Sequence, residues 1–259
     1  MPIFGNATDI KFNGTSATKA YLNGNVIWSP PLPTFSGVAD ALQFNLLAAP
    51  SSGTTWTDIS GNSRNATIQG SGTYVSNNGG GIKLNNTTYG GTGYISVPYN
   101  ISSSTVTVEI VASFNPTSFW STIWGNDAYS SSAGYYAYMN SATNITWGKV
   151  PGVISSTITA SSNIRHWVWV VNGTQHSLYL NGTQLGVTAT ASPAQTLFTT
   201  NNFYFGSRHT NAGTGATDKL NNTNASLQPV FYQMRVYSKA LSGAEVTTNY
   251  NAVKSTYGI

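Results

Sequence analysis

The sequence of 259 residues contains no cysteine. Disulfide bonds, thiol catalysis and thiolate metal sites are therefore excluded, and the fold must be held by packing alone. Charged residues are also scarce, at 7% of the chain, whereas an average globular protein has roughly 25%. The surface must consist largely of Asn, Thr, Ser, Gly and Tyr. Such an uncharged polar surface suits contact with sugars or with neighbours in a crowded assembly.

The chain also lacks long apolar stretches and clusters of basic residues. No segment approaches the roughly 18 apolar residues that span a bilayer, so no membrane insertion is expected. The first residues, MPIFGNATDIKFNG, have neither a basic leader nor a sustained apolar stretch, so no secretory signal is expected. The net charge of +4 would fit a nucleic-acid partner, but the 11 basic residues are scattered. Nucleic-acid binding is therefore not expected either.

What the chain does have is an ordered series of β signals between residues 165 and 246. Trp167, Trp169 and Val171 alternate with polar or smaller residues, and Asn181-Gly182 favours a two-residue hairpin turn. Residues 230–237 alternate in the same way. Ser242 and Glu245 then have the spacing of a capping box, which predicts one short helix. Helix signals are almost absent elsewhere, so the order predicts an all-β sandwich closed by a C-terminal helix.

Further strands are predicted upstream, near residues 42–47, 82–84, 94–97, 106–114, 134–139 and 144–148. The segment 106–114 has the clearest period of two, with Val106, Val108 and Ile110 on one face. The opposite face carries Glu109, which we expect to point outward into solvent.

The N-terminal residues predict a small unit of their own. Residues 9–28 read as short strands, two of which flank Asn23-Gly24 in a hairpin. Prolines at 30, 31 and 33 cannot continue a paired strand and favour an extended connector. We therefore predict an N-terminal β-hairpin attachment segment with a Pro-rich connector over 1–34, and the sandwich over 35–259.

With these residues in view, the stretch from about 37 to 255 resembles the concanavalin A-like lectin/glucanase superfamily, in its laminin-G-like form. The matching pieces, in the expected order, are WTDISGNSRNAT, IKLNN followed by YISVP, VTVEIVASF, RHWVWVVNGTQHSLYLNGTQLG, FYFGSR and FYQMRVYSKALSGAEVTTNY. Residues 9–28 are similar to a short β segment found in tail and other virion proteins of bacteriophages. The resemblance implies a concanavalin A-like jelly-roll β-sandwich that the N-terminal segment attaches to other virion proteins.

Catalysis is not expected. Glucanases of this fold use closely spaced carboxylates, because one group must protonate the leaving oxygen and another must attack or activate water. None of the seven acidic residues has an acidic partner two to four positions away. The histidines are not accompanied by a Gly-x-Ser-x-Gly elbow or a third zinc ligand, and His166 and His176 are interpreted as surface or cross-strand packing residues.

A calcium site is one candidate, since relatives of this fold bind calcium through oxygen ligands. Asp58 and Asn62, with Ser60 and Asn65 nearby, place such oxygens in one turn. A single carboxylate makes a weak cation site, however, and Asp and Asn in turns commonly bond their own backbone. A hydrogen-bonded turn is the competing interpretation, and no other cofactor is expected.

A sugar site is the other candidate, because sugars require a flat aromatic ring beside groups that donate and accept hydrogen bonds. A loop rich in both carries Trp120, Trp124, Asn126, Asp127 and Tyr129. In the competing interpretation, large aromatics of this region, Tyr136, Tyr138 and Trp147 among them, alternate into the core. A second long loop offers Arg208 and His209 for contact with acidic sugars or a neighbouring subunit.

The leading hypothesis is a non-enzymatic bacteriophage virion protein, tail- or capsid-associated, whose outward lectin-like domain binds host-surface or environmental glycans weakly and at many copies. A homo-oligomer on the exterior of the particle, assembled in the host cytoplasm, is expected. The alternative is a purely structural decoration protein without a ligand. A glycan-processing enzyme is the third and least favoured hypothesis.

Overall fold

A computed structural model of the protein describes the backbone of residues 11–12, 15–16, 20–22, 25–28, 36–86, 92–101, 103–114, 121–126, 135–141, 143–149, 152–158, 161–190, 202–209, 216–217 and 228–259. The chain divides into two compact units, 1–35 and 36–259. The sequence predicts a division into 1–34 and 35–259. That each part folds independently stays a prediction.

The described part of the first unit consists of two small antiparallel pairs. Strand β1 (Lys11–Phe12) pairs with β2 (Thr15–Ser16), and β3 (Ala20–Leu22) pairs with β4 (Asn25–Trp28). The second pair flanks Asn23-Gly24, as expected for the predicted hairpin.

The second unit is built on two large antiparallel sheets. One, here called the helix-side sheet, has the order β18 (Thr183–Thr190), β17 (Gln175–Leu180), β16 (Arg165–Asn172), β11 (Thr105–Ser113), β22 (Val230–Tyr237), β9 (Gly81–Leu84) and β8 (Gly72–Val75), and β5 (Leu42–Leu46) also pairs with β22. The other, the second sheet, has the order β15 (Gly152–Thr157), β14 (Asn144–Lys149), β13 (Tyr136–Ser141), β12 (Ser121–Gly125), β19 (Phe203–Phe205), β10 (Tyr94–Val97), β7 (Ala66–Gln69) and β6 (Thr55–Trp56). The predicted all-β sandwich is confirmed.

The core lies between the inner faces of these sheets. Val106, Val108 and Ile110 of β11 are fully buried in it, as the period of two predicts. Trp167 and Trp169 of β16 stack on each other at 6.1 Å between ring centroids. A chain without disulfides thus draws its stability from large side chains, each of which contributes about 1.5–3 kcal/mol when buried.

One helix, α1 (Gly243–Tyr257), covers the outer face of the helix-side sheet. The predicted capping box is present: the Ser242 hydroxyl accepts from the Glu245 N–H, and the Glu245 carboxylate accepts from the Ser242 N–H at 2.8 Å. Every third or fourth residue is buried, namely Val246, Asn249, Val253 and Tyr257. A small apolar cluster, including Val168, Val170 and Val246, fills the space between helix and sheet.

No helix in the described ranges is long and apolar enough to cross a membrane.

Candidate functional site

Asp58 anchors a turn and does not form an open cation site. Its Oδ1 accepts the backbone N–H groups of Asn45 and Ser60, at 2.8 and 2.9 Å. Its Oδ2 accepts the Ser60 hydroxyl at 2.9 Å and the Arg64 N–H at 3.0 Å. A carboxylate has about four acceptor positions, and all four are occupied.

Asn62 takes part in the same turn. Its side-chain amide donates to the carbonyl groups of Leu42 and Gln43 at 2.9 and 3.0 Å. The residues proposed as calcium ligands therefore tie the turn to β5, which favours the hydrogen-bonded turn over the calcium site. No group of three or more His, Asp or Glu side chains that could hold a metal occurs within the described ranges.

Two described residues of the loop predicted as a sugar site are buried, whereas a sugar site requires exposed ones. Trp124 is fully buried in the core, where its ring stacks on Phe203 at 5.6 Å and meets Trp169 edge-on at 5.8 Å. Asn126 is also fully buried, and its side-chain oxygen accepts the Tyr135 N–H at 2.9 Å. Neither residue offers a surface to a sugar, because both side chains are fully buried. Both assignments are thus corrected.

The other predicted sugar-site residues are either not described or described only by their backbone. Trp120, Asp127 and Tyr129 lie outside the described residues. Arg208 and His209 form a two-residue strand, β20, paired with β21 (Ala216–Thr217), and their side chains lie outside the description. Their assignment to a binding site stays a prediction.

Large aromatics near this loop are divided between the two faces of the second sheet. Trp147 packs into the core, as the competing interpretation expects. Tyr136 and Tyr138 point to the opposite face, where their rings stack at 5.3 Å and are nevertheless buried.

The environment of Glu109 differs clearly from the predicted one. It lies on the outer face of β11, but α1 covers that face, and only 1% of the side chain is exposed. Its carboxylate contacts the His166 Nε2 at 2.6 Å and the Arg235 Nη2 at 3.0 Å. Asn249 of α1 donates to the same carboxylate at 2.7 Å. The outward position predicted for Glu109 is wrong, because the alternation of a strand does not reveal what covers its second face.

The charge of Glu109 is compensated within this cluster. Burial alone would raise the pKa of Glu109, but the nearby charges of Arg235 and His166 and the hydrogen bonds from His166 and Asn249 hold it below the ordinary value. Asn249 also donates to the Tyr237 hydroxyl at 3.0 Å and accepts the Val38 N–H at 2.8 Å. The cluster therefore fastens α1 to the sheet and leaves no room for a substrate.

His176 faces the core from the other side of the helix-side sheet. It is fully buried, and its ring contacts Tyr135 of the second sheet at 6.1 Å. Burial lowers the pKa of His176 below its ordinary value. The two histidines of the hairpin thus have interior roles, instead of the surface position considered from the sequence.

A concave surface lies beside the C-terminal end of α1, and we call it the outer-face cleft. Its volume is about 840 Å³. The residues that characterise it are Lys83, Ser113, Asn163, Arg165, Gln228 and Tyr257. Asn77, Asn78 and Asn181 add further side-chain amides to its walls. The cleft is therefore lined by groups that both donate and accept hydrogen bonds.

Strand register places the two cations among the lining residues, Lys83 and Arg165, on opposite faces of the helix-side sheet. Arg165 pairs with Ala112, Ser113 pairs with Val230, and Val230 pairs with Lys83. Ala112 and Trp167 belong to the core between the sheets, and the Arg165 guanidinium lies over the Trp167 ring, 5.8 Å from its centroid. Ser113, Val230 and Lys83 lie on the outer face. Lys83 and Arg165 are both partly exposed.

The described acidic side chains lie elsewhere. Asp40 and Glu245 both pair with Lys239, at 2.9 and 2.8 Å, near the first turn of α1. A helix of 15 residues is about 22 Å long, so this pair is remote from the cleft at the last turn. Asp58 and Glu109 are buried. None of these four carboxylate side chains lines the cleft.

Sequence reasoning did not find this cleft. Its walls come from residues as far apart as 75 and 259, on six separate elements. The only signal in the sequence is the IKLNN segment, in which Lys83 is a charged residue between two buried apolar ones.

Comparison with known proteins supports the fold. No protein-family model matches the chain, and no curated protein matches it either. The binding domain of Paraclostridial Mosquitocidal Protein 1 is similar with a TM-score of 0.57 and 18% identity, over 82% of this chain and 52% of that one. Botulinum neurotoxin type C, which depends upon interaction with two ganglioside molecules to enter cells, is similar with a TM-score of 0.62 and 13% identity, over 83% and 52%.

A Trypanosoma rangeli sialidase in complex with sialic acid is also similar, with a TM-score of 0.59 and 16% identity, over 92% of this chain and 36% of that one. The chain thus spans about half the length of the toxin structures and about a third of the sialidase. At these identities the likeness is one of fold, and it places the chain among β-sandwich domains that occur in toxins and in a sialidase.

Proposed function

We propose that the chain is a non-enzymatic, lectin-like domain that binds surface glycans from the exterior of a bacteriophage particle. The observation that carries the proposal is the outer-face cleft, whose walls of amides, hydroxyls and tyrosines match the hydroxyl edges of sugars. Gln228 is buried in its wall, while Asn163 is exposed at its rim. Binding sites for small polar ligands combine such positioned groups with accessible ones.

The state of the described carboxylates supports a binding role over catalysis. Glycoside hydrolysis needs two carboxylates facing the scissile bond. Asp58 has all acceptor positions occupied, and Glu109 is paired with Arg235 under α1. Asp9, Asp127 and Asp218 lie outside the described residues.

The similar structures also support a binding role. Two are toxin structures, one of a binding domain and one of a neurotoxin that depends upon two ganglioside molecules, and the third is a sialidase with bound sialic acid. The fold therefore occurs in proteins that interact with gangliosides or with sialic acid.

The particle context is proposed from the N-terminal segment. Residues 1–34 would dock onto other virion proteins, and copies of the chain would form a homo-oligomer on the particle. Weak sites displayed together reinforce each other through effective concentration, so individually weak binding would suffice for adhesion to a host surface.

The test is glycan binding at high valency. The full chain, biotinylated and coupled to streptavidin-coated beads, is applied to a glycan array and to a polysaccharide panel. We expect binding that Asn163→Trp, which fills the cleft rim, reduces at least tenfold, while Thr248→Trp on the exposed face of α1 leaves it unchanged. Antibody labelling of particles should place the chain on their exterior.

Two results would contradict the proposal. Absence of binding to every glycan, together with extensive contacts between subunits on the particle, would favour the structural decoration protein. Release of reducing ends from a polysaccharide, abolished by Asp127→Asn in a variant that stays folded, would establish an enzyme.

A further inference from the structure

We infer that the outer-face cleft binds neutral saccharides through two hydroxyl groups on adjacent ring carbons, which pair with the side-chain amide of Gln228, and that it rejects sugars with an acetamido group there. This inference rests on the proposed glycan-binding function and names the class of glycan at that site. It follows from a nearly buried amide whose donor and acceptor are unused in the described part of the chain.

The backbone directs Gln228 to the outer face of the helix-side sheet. The Pro229 carbonyl accepts the Leu84 N–H at 2.9 Å, so the pairing of β22 with β9 continues by one residue. Pro229 lies opposite Leu84, which belongs to the core. Because side chains alternate along an extended strand, Gln228 and Val230 lie on the opposite, outer face. Both residues line the cleft, as this alternation requires.

The Gln228 amide is available to a ligand. Only 5% of the side chain is exposed, yet its amide forms no hydrogen bond with any part of the chain that the structure describes. Its polar atoms are not among the fully enclosed ones, so they reach the surface of the cleft. Folded proteins seldom leave a buried amide unpaired, because the cost of removing it from water is then uncompensated. A ligand that supplies the missing partners provides this compensation.

The geometry of the amide determines which sugar groups it fits. A primary amide presents a donor and an acceptor side by side. Two adjacent hydroxyls match this pair, since one accepts from Nε2 while the other donates to Oε1. An acetamido group does not match it, because the N–H and C=O of a trans amide point in opposite directions. A site that hydrogen-bonds a hydroxyl rejects an analogue without one, because its own polar group is left unpaired.

The residues around Gln228 form a frame of the size of a sugar ring. Ser113 and Lys83 pair with Val230 from its two sides, which separates them by two strand spacings, roughly 10 Å. Gln228 lies two residues from Val230, roughly 7 Å along the strand. Within the described ranges, neither the Ser113 hydroxyl nor the Lys83 ammonium group forms a hydrogen bond or an ion pair. Val230 provides an apolar floor between these polar groups for the C–H face of the ring.

The charges at the cleft favour an uncharged sugar. Lys83 is the one cation among the described lining residues that lies on the outer face, since Arg165 lies on the core face, over the Trp167 ring. A lone ammonium group donates hydrogen bonds to hydroxyls, whereas a polyanion requires several cations along its length.

Isothermal titration calorimetry of the full chain with matched hexasaccharides tests the inference. Cellohexaose, maltohexaose and mannohexaose have free hydroxyls on adjacent carbons of every residue, whereas chitohexaose has an acetamido group in place of one of them. We expect at least one diol-bearing hexasaccharide to bind, and chitohexaose to bind about tenfold more weakly than the strongest of them.

Gln228→Met keeps the size of the side chain and removes both its donor and its acceptor. It should weaken binding of the strongest hexasaccharide about tenfold, because two neutral hydrogen bonds are lost, and should reduce the preference over chitohexaose. Asn251→Met is the matched control, since it removes an exposed amide of α1 outside the cleft, and it should leave the affinity unchanged. Circular dichroism melting verifies that each variant is folded. Ser113→Ala, which should weaken binding about threefold through the loss of one hydrogen bond, is the second variant if Gln228→Met does not fold.

The other outcomes separate this inference from the proposed function. Chitohexaose binding as strongly as the diol-bearing sugars, or an affinity that the folded cleft variants leave unchanged, would overturn this inference and leave the proposed function intact. The same holds if no hexasaccharide binds while the array shows binding of another glycan. Absence of binding to every glycan on the array would overturn both proposals.

Discussion

The Glu109 carboxylate lies beneath α1, and its side chain is almost fully buried. Its partners are Arg235 and His166 at salt-bridge distance and Asn249 at hydrogen-bond distance. A buried ion pair contributes little relative to an apolar pair, but removing one partner leaves the other charge unpaired. The residue therefore decides whether the helix can remain docked on the sheet.

We predict that Glu109→Gln destabilises the chain by about 3–5 kcal/mol, because Arg235 is left buried without its counter-charge. Urea unfolding at pH 7 measures the change. Glu245→Gln is the matched control and should cost less than about 1 kcal/mol, since that pair is partly exposed and glutamine preserves the capping box. The pKa of Glu109 is lowered in the folded state, so its stabilising effect is full above pH 4.5 and is lost as the pH falls further. The gap between the wild type and Glu109→Gln should therefore narrow below pH 4.5. A cost below 1 kcal/mol at pH 7 would argue against the buried ion pair.

His176 predicts a second pH effect in a different range. Its pKa is lowered from 6.5 by burial, so the folded state resists protonation while the unfolded chain accepts it. Stability should therefore be full above pH 6.5 and fall as the pH drops towards 5, by at most about 1.4 kcal/mol per pH unit. The Tyr135 ring packs against His176, with 6.1 Å between the ring centroids. Thermal melting of the wild type and His176→Gln between pH 7 and 5 tests this. Equal slopes for the two proteins would show that another group is responsible.

At the scale of elements, the hairpin between β17 and β18 contacts both β16 and α1. The Asn181 side-chain oxygen accepts the His166 N–H at 2.9 Å, and the Asn181 N–H donates back to the His166 carbonyl at 2.8 Å. Asn181 and Gly182 have φ values of +50° and +77°, which a two-residue turn with both central residues left-handed requires. The Asn-Gly dipeptide thus sets the strand register and also gives α1 a surface to pack on.

Gly182 and Gly173 form a matched pair for testing this fit. Both have positive φ, at +77° and +60°, so alanine is strained by about 1 kcal/mol at either position. A Cβ on Gly182 would also lie 2.8 Å from the Tyr250 ring, whereas a Cβ on Gly173 would meet nothing within 4 Å. We therefore predict that Gly182→Ala costs about 1–3 kcal/mol more than Gly173→Ala in urea unfolding, because α1 must shift. Equal costs would mean that the helix moves aside without loss.

At the scale of the whole molecule, the second unit contains its own core. Among the residues whose burial the structure describes, the members of the main hydrophobic cluster lie between Phe44 and Val236, and the helix cluster ends at Val246. The described contacts thus suffice for residues 36–259 to bury an interior without the N-terminal unit.

We predict that a fragment of residues 36–259 folds and melts within about 4 °C of the full chain, which corresponds to a loss of no more than about 1 kcal/mol at this size. Circular dichroism melting of both proteins is the measurement. The fragment should also retain sugar binding, since the outer-face cleft is formed within it. A fragment that aggregates, or melts more than 10 °C lower, would contradict the division.

Local patterns predict the elements well because they depend on neighbouring residues. The period of two in 106–114, the Asn181-Gly182 turn and the Ser242–Glu245 capping box each correspond to an observed feature. The candidate sites were harder to predict. Asp58 resembles a cation ligand in the sequence, and only its hydrogen bonds reveal a filled acceptor set. Trp124 resembles an exposed loop aromatic until its strand places the ring in the core.

By itself, the sequence determined that this protein is a cysteine-free β-sandwich with one C-terminal helix, because alternation, turn dipeptides and capping act over a few residues. Only the tertiary structure decided which strand faces the helix covers and where polar groups converge. A period of two separates the two faces of a strand without saying what lies against each. Glu109 therefore became an interior anchor beneath α1, while residues as far apart as 75 and 259 came to line one cleft on the outer face.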